Sequence, residues 1–177
     1  MTDQQSPTLP PEPPWPQETG VWASYALHCH CGAIRYNMKL SPPIFESEAE
    51  GKGVYPVMSC NCSYCERVGY LTVHPLVENV EFTQGLEHRA EYLTSGQTAP
   101  LWFCKKCGSA LGADIRGLME KMGAPPRYGL NVRMLKDGDV KKLTIKEVTF
   151  MKDMPPKYDI GPPESEKSRY RLSGSGL

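Results

Sequence analysis

Seven cysteines in three tight groups constrain this 177-residue chain more than any other feature. Cys29 and Cys31 form C-x-C. Cys60, Cys62 and Cys65 form C-x-C-x-x-C, and Cys104 and Cys107 form C-x-x-C followed by Gly108. An odd count cannot be fully paired as disulfides within one chain. Spacings this short suit sulfurs that must converge on one ion, as zinc requires with Zn–S of about 2.3 Å. The expected cofactor is therefore zinc.

A structural zinc takes four protein ligands, whereas a catalytic zinc keeps three and leaves a position open. Seven divides as four plus three. The middle group can make a three-coordinate site alone, and the outer pairs, Cys29/Cys31 with Cys104/Cys107, would close a four-cysteine site joining an early strand to a late one. Two other readings remain at this stage: a partition that gives one outer pair to the middle group, and a single zinc beside incidental buried cysteines. If Leu27–Gly32 is extended, alternation sets His28 and His30 on the face opposite Cys29 and Cys31, so neither is expected as a ligand. His74 and His88 are expected as structural histidines in strands, satisfied or exposed.

Lys+Arg and Asp+Glu both number 20, so no excess charge draws the molecule to nucleic acid or to an anionic membrane. No run approaches the roughly 20 apolar residues of a membrane helix. Residues 1–20 are polar and hold six of the seventeen prolines, with neither a basic nor an apolar leader region. A secretory leader is thus not expected, and a reducing cytoplasmic setting is.

Residues 1–20 are expected as a disordered or loosely docked arm, with a proline-motif partner as the sharper alternative. Residues 154–177 are expected as a polar tail. Between them, residues 21–153 should form one mainly β, largely antiparallel domain with cysteine-bearing loops. Its candidate strands are Trp22–Leu27, Ala33–Lys39, Leu71–Pro75, Val80–Thr83, Glu87–Leu93, Pro100–Phe103, Gly129–Met134 and Lys142–Val148. A short helix is expected near Ile115–Lys121. Exposed strand edges would suit a homodimer.

Four stretches carry a family resemblance: Cys29-His30-Cys31-Gly32-Ala33-Ile34-Arg35-Tyr36, Cys60-Asn61-Cys62-Ser63-Tyr64-Cys65, Phe103-Cys104-Lys105-Lys106-Cys107-Gly108-Ser109-Ala110-Leu111 and Asn131-Val132-Arg133. Together they resemble the glutathione-dependent formaldehyde-activating family, which includes the centromere-protein-V-like proteins, over about residues 25 to 148. The resemblance implies a β-tent-like fold of packed antiparallel sheets. It implies a structural zinc on Cys29, Cys31, Cys104 and Cys107 and a catalytic zinc on Cys60, Cys62 and Cys65. It further implies a carbon–sulfur lyase that condenses formaldehyde reversibly with glutathione to S-hydroxymethylglutathione.

Two departures stand out. Glu66 and then Arg67 follow the third cysteine of the middle group, where the family often has basic residues. Glu46–Tyr55 is longer and more polar than in compact members, and is expected beside the open zinc. A zinc with three thiolates carries a formal charge of −1 and suits a soft sulfur ligand or a carbonyl. A bound thiolate would add a further negative charge, so Arg67 and Arg133 are the candidate assisting cations. Two alternatives stand beside the lyase reading. One is a zinc enzyme of the same fold acting on a specialised carbonyl metabolite without glutathione, and the other is a non-enzymatic zinc module.

Overall fold

Arg35–Leu40 alternates strictly between exposed and buried residues, as a strand with one wet face must. In the computed structural model it is β2, lying between β1 (Ala23–His28) and β5 (Val80–Gln84) in a three-stranded antiparallel sheet. The structure describes residues 13, 15–93, 99–149 and 151–152, and the backbone of 170–172.

The second sheet has eight strands: β3 (Val57–Cys60), β4 (Thr72–Val73), β6 (Arg89–Tyr92), β7 (Leu101–Cys104), β8 (Ala110–Asp114), β9 (Tyr128–Asn131), β10 (Ile145–Val148) and β11 (Tyr170–Leu172). Their order is β10-β3-β4-β9-β8-β7-β6-β11. Every pairing is antiparallel except β10 with β3, which is parallel. The mainly β, two-sheet architecture agrees with expectation. Among the described residues two short α-helices accompany the strands: α1 (Ser63–Val68), which the sequence pattern does not announce, and α2 (Arg116–Lys121), which it does.

Leu27, Tyr36, Met38 and Leu40 from the small sheet meet Val57, Val73, Trp102, Leu111, Leu130 and Val132 from the large sheet and its continuations, in one core. Leu101 adjoins Trp102 in β7 yet joins a separate cluster with Tyr70 and Ala113. Adjacent strand residues point to opposite faces. The large sheet therefore covers the core with one face and carries a smaller apolar cluster on the other. Tyr64 and Cys65 of α1 pack against that smaller cluster, so this helix rides on the sheet's outer face.

Residues 1–12 and 14 of the expected arm lie outside the described residues, as do 154–169 and 173–177 of the expected tail. Within the tail's range, Tyr170–Leu172 pairs with β6. Within the arm's range, half-buried Trp15 packs against the core. Its ring lies 4.5 Å from the Arg127 guanidinium carbon and 6.4 Å, centre to centre, from the His74 ring. His74 is buried rather than exposed, and its Nδ1 has no hydrogen-bond partner. Burial, and then the Arg127 charge, hold its pKa down to about 4. It is neutral near pH 7, which makes an unprotonated ring tolerable beside that arginine.

Trp15→Ala removes part of an indole's burial and a cation–π contact, together worth about 1–2 kcal/mol. The expected outcome is a melting temperature lowered by roughly 2–8 °C, read by calorimetry.

Candidate metal centres

β1 and β7 each run directly into a cysteine turn. After β1, the N–H of Gly32 donates to the Cys29 carbonyl at 2.9 Å. After β7, the N–H of Gly108 donates to the Cys104 carbonyl at 2.7 Å. The Leu27–Gly32 segment is thus not extended throughout: the strand stops at His28 and the next residues turn back. The two turns bring Cys29, Cys31, Cys104 and Cys107 together, with all four Sγ atoms within 4.8 Å of one another. Cys29 Sγ lies 3.5 Å from Cys31 Sγ, and Cys31 Sγ lies 3.9 Å from Cys104 Sγ.

Backbone and hydroxyl groups serve these sulfurs. The N–H of Ile34 donates to Cys29 Sγ at 3.3 Å, and Ser109 Oγ lies 3.2 Å from Cys107 Sγ. Ser109 Oγ also accepts from the N–H of His30 at 2.9 Å, which ties one turn to the other. Burial pushes the Cys104 thiol up to about 12. Burial also opposes ionisation of Cys107, but hydrogen bonds led by the one from Ser109 outweigh it and draw Cys107 down to about 6. His28 and His30 take no place among the candidate ligands.

Cys60 ends β3, Cys62 is the N-cap of α1 and Cys65 lies within that helix. Their sulfurs form the second group within 4.8 Å, and all three residues are half-buried. The N–H of Cys62 donates to Cys60 Sγ, and the N–H of Cys65 to Cys62 Sγ, each at 3.4 Å. Sulfur thus fills the role an Asp or Ser side chain usually has at a helix N-terminus. The turn is pinned from β10's side, where the N–H of Asn61 donates to the Val148 carbonyl at 3.0 Å.

The three thiols cannot ionise independently. Hydrogen bonds, first from Cys60 and then from Cys65, draw Cys62 down to about 2. Cys60, in turn, is pushed up to about 11, chiefly through its bond to Cys62. Cys65 is raised further, by its bonds to Cys60 and Cys62 and by burial. One thiolate is favoured, and the other two keep their protons unless a cation compensates the added charge. All seven cysteines are free of disulfides, and each group could hold a metal ion.

Both candidate cations lie near α1 and are exposed. Arg67 folds back along the helix, Nη1 donating to the Ser63 carbonyl at 2.5 Å. Arg133 reaches across from the end of β9, Nε donating to the Gly69 carbonyl at 2.6 Å. Gly69 is the left-handed C-cap of α1, with φ of 66°. Buried Asn131 holds this corner together. Its Oδ1 accepts from the N–H groups of Leu71 (3.4 Å) and Arg133 (3.2 Å), and its Nδ2 donates to the Ala110 carbonyl at 2.8 Å. The roles of Gly69 and Asn131 have no signal in sequence spacing, although Asn131 stands in the motif that carries the resemblance. Glu46–Tyr55, expected beside the middle cysteines, is tied to Tyr25 through Glu48 and to His74 through Tyr55.

A surface hollow of about 410 Å³ is lined by Pro100, Asp114, Arg116, Gly117, Glu120 and Pro126, and by none of the seven cysteines. It holds the Arg116–Asp114 ion pair at 2.6 Å.

Gly69→Ala puts a side chain on a left-handed backbone, at a cost of about 1 kcal/mol. The expected outcome is weaker metal retention at the three-cysteine group alone, measured as the first equivalent lost to a chelator. The four-cysteine equivalent should leave as in wild type.

Among the described residues no helix is long and apolar enough to cross a membrane. No curated protein matches the sequence. A solved structure of a Rhodobacter sphaeroides protein, a structural genomics target, is similar to this chain with a TM-score of 0.54 and 26% identity, over 70% of this chain and 99% of that one. The sequence model described as "Glutathione-dependent formaldehyde-activating enzyme" matches residues 24–137, a span that holds both cysteine groups and the Asn131–Arg133 corner. The chain belongs to the glutathione-dependent formaldehyde-activating enzyme family.

Proposed function

We propose that this protein is a zinc-dependent carbon–sulfur lyase acting on a thiol–aldehyde adduct such as S-hydroxymethylglutathione. Cys60, Cys62 and Cys65 form its open catalytic zinc site, and Cys29, Cys31, Cys104 and Cys107 its closed structural one. The observation that carries this reading is the unequal pair of donor sets, four sulfurs in one group and three in the other. Sulfurs 3.5 and 3.9 Å apart bracket the edge of about 3.8 Å that four ligands make around a tetrahedral zinc.

Zinc bound by three thiolates supplies a position that favours the ionised form of a substrate thiol. In the cleavage direction the adduct's carbon–sulfur bond breaks and its electron pair goes to sulfur. The hydroxyl oxygen becomes the carbonyl of the aldehyde, and its proton ends on the released thiol. The chain's own groups hold the sulfurs: the N–H donors of Cys62 and Cys65 bond to thiolates, and α1 fixes Cys62 relative to Cys65. Arg67, within α1, and Arg133, bonded to the Gly69 carbonyl at the end of that helix, are the cations assigned to offset the added negative charge.

One observation favours a second reading. Exposed Glu66 follows Cys65 directly in α1, and its carboxylate would oppose an anionic thiol there. A zinc enzyme acting on a neutral, specialised carbonyl metabolite without glutathione meets no such opposition. Omitting glutathione from the assay separates the two.

The test is elemental analysis of wild type and of Cys60→Ser/Cys62→Ser/Cys65→Ser, paired with turnover of formaldehyde and glutathione. Two zincs per chain falling to one, with turnover lost and circular dichroism unchanged, is the expected result. One zinc in both proteins, or turnover that survives the triple substitution, would remove the catalytic assignment.

A further inference from the structure

Asn61 separates two cysteines of the middle group, where the C-x-C spacing asks only that some residue be present. It nevertheless makes three hydrogen bonds to one short segment. Its N–H donates to the Val148 carbonyl at 3.0 Å, Nδ2 donates to the Thr149 carbonyl at 2.5 Å, and Oδ1 accepts from the N–H of Lys152 at 3.1 Å. The first bond continues the parallel β3–β10 ladder one step past the Cys60–Val148 pair. The other two need a donor and an acceptor on the same side chain, which an amide supplies and a carboxylate does not.

The segment from β10 is the firmer partner. β10 is the outermost strand on its side of the large sheet and follows the 24–137 span that carries the family. Leu143 before it and Val148 at its end are both buried, and the N–H of Val57 donates to the Thr144 carbonyl at 2.9 Å. The cysteine loop is half-buried throughout and leads into a six-residue helix. A peptide unit is planar, so a residue held at its N–H and at its side chain leaves little freedom to the peptide that follows. That peptide carries the N–H of Cys62, which donates to Cys60 Sγ at 3.4 Å. The two side-chain bonds of Asn61 lie at the surface, where water competes for the same groups and the net gain in global stability is small. What they fix is local: the direction of one N–H beside a candidate metal ligand.

We propose that Asn61 is a positioning residue for the open metal site, and that Val148, Thr149 and Lys152 hold it so that the Cys62 N–H stays on Cys60 Sγ. This rests on the reading of Cys60, Cys62 and Cys65 as that site. Hydrogen bonds to ligating atoms set how firmly a metal is held and how strongly its ligands donate. A rung of the ladder accounts for the Asn61 N–H alone. It gives no role to the paired use of Nδ2 and Oδ1.

The experiment uses the full chain loaded with Co(II), whose sulfur-to-metal absorption reports on the thiolate donors, and a competing chelator. The three-cysteine equivalent is the one missing from Cys60→Ser/Cys62→Ser/Cys65→Ser. Asn61→Ala is expected to weaken retention of that equivalent roughly 10- to 100-fold. Its sulfur-to-metal band should move to longer wavelength, since a thiolate relieved of an N–H donates more strongly. Lys152→Pro removes one N–H from the segment and leaves the cysteine loop unaltered, and should shift both readings in the same direction by less. In both variants the four-cysteine equivalent should be held as in wild type. Band and retention unchanged in both variants would overturn the proposal. So would loss of both equivalents together, which marks a general loosening of the fold. A wild-type chain that holds metal at the four-cysteine group alone would overturn the open-site reading, and this inference with it. If the formaldehyde adduct is not turned over while the shifts in band and retention are found, the lyase reading fails and the role of Asn61 stands.

Discussion

The convergence of Cys29, Cys31, Cys104 and Cys107 is the contact on which the two sheets depend. Cys29 and Cys31 follow the first strand of the small sheet, and Cys104 and Cys107 follow β7 in the large one. Their sulfurs meet across 73 residues of sequence. Closing a loop of that length costs chain entropy once, and any ion bound by all four groups would return that cost as folding free energy. Cys29 and Cys104 are fully buried members of the core itself, so the cross-link continues the hydrophobic contact between sheets. Everything placed on the outer face of the large sheet inherits its position from this joint.

The cysteine partition can be read before the fold because it is a matter of counting and spacing, and those survive any folding. Strands with clear alternation or β-branched content, such as Arg35–Leu40 and Val80–Gln84, are legible for the same reason. Other elements owe their form to partners far away in sequence. β8, with the sequence ALGAD, has little intrinsic strand preference. It forms because Gly112 lets it approach β9, where a Cβ would stand 2.3 Å from the Gly129 carbonyl oxygen. β3 is four residues long and ends in the three-cysteine group, so its sequence reads as loop. β11 lies in a polar stretch and is a strand only because β6 offers an edge.

The histidines show the limit of local alternation. An extended Leu27–Gly32 would keep His28 and His30 away from the cysteine sulfurs, and they do stay out of the cluster, but the chain turns at Cys29 and the extended geometry is absent. Local pattern makes His74 a satisfied or exposed strand residue, yet it is enclosed beneath Trp15 and beside Arg127, both contributed by segments remote from β4. A proline-rich arm gives no sign in its own composition that one aromatic residue will dock. Only the recess it fills reveals that.

The two cysteine groups differ in what they require of the backbone. The four-cysteine group is built from turns at the ends of strands already held in sheets. The three-cysteine group is built around a six-residue helix, well below the length at which a helix persists by itself. α1 holds because Cys62 sulfur caps its N-terminus, Gly69 reverses the chain at its C-terminus, Arg133 grips that reversal and Tyr64 stacks on Tyr92. One of those four supports is a candidate metal ligand. Helix formation and metal binding at this site are therefore one equilibrium: a cation that keeps Cys62 ionised strengthens the cap, and a strengthened cap holds Cys65 in reach of the cation. The same dependence makes the three-cysteine group the more yielding of the two, since its backbone rests on a short helix rather than on paired strands.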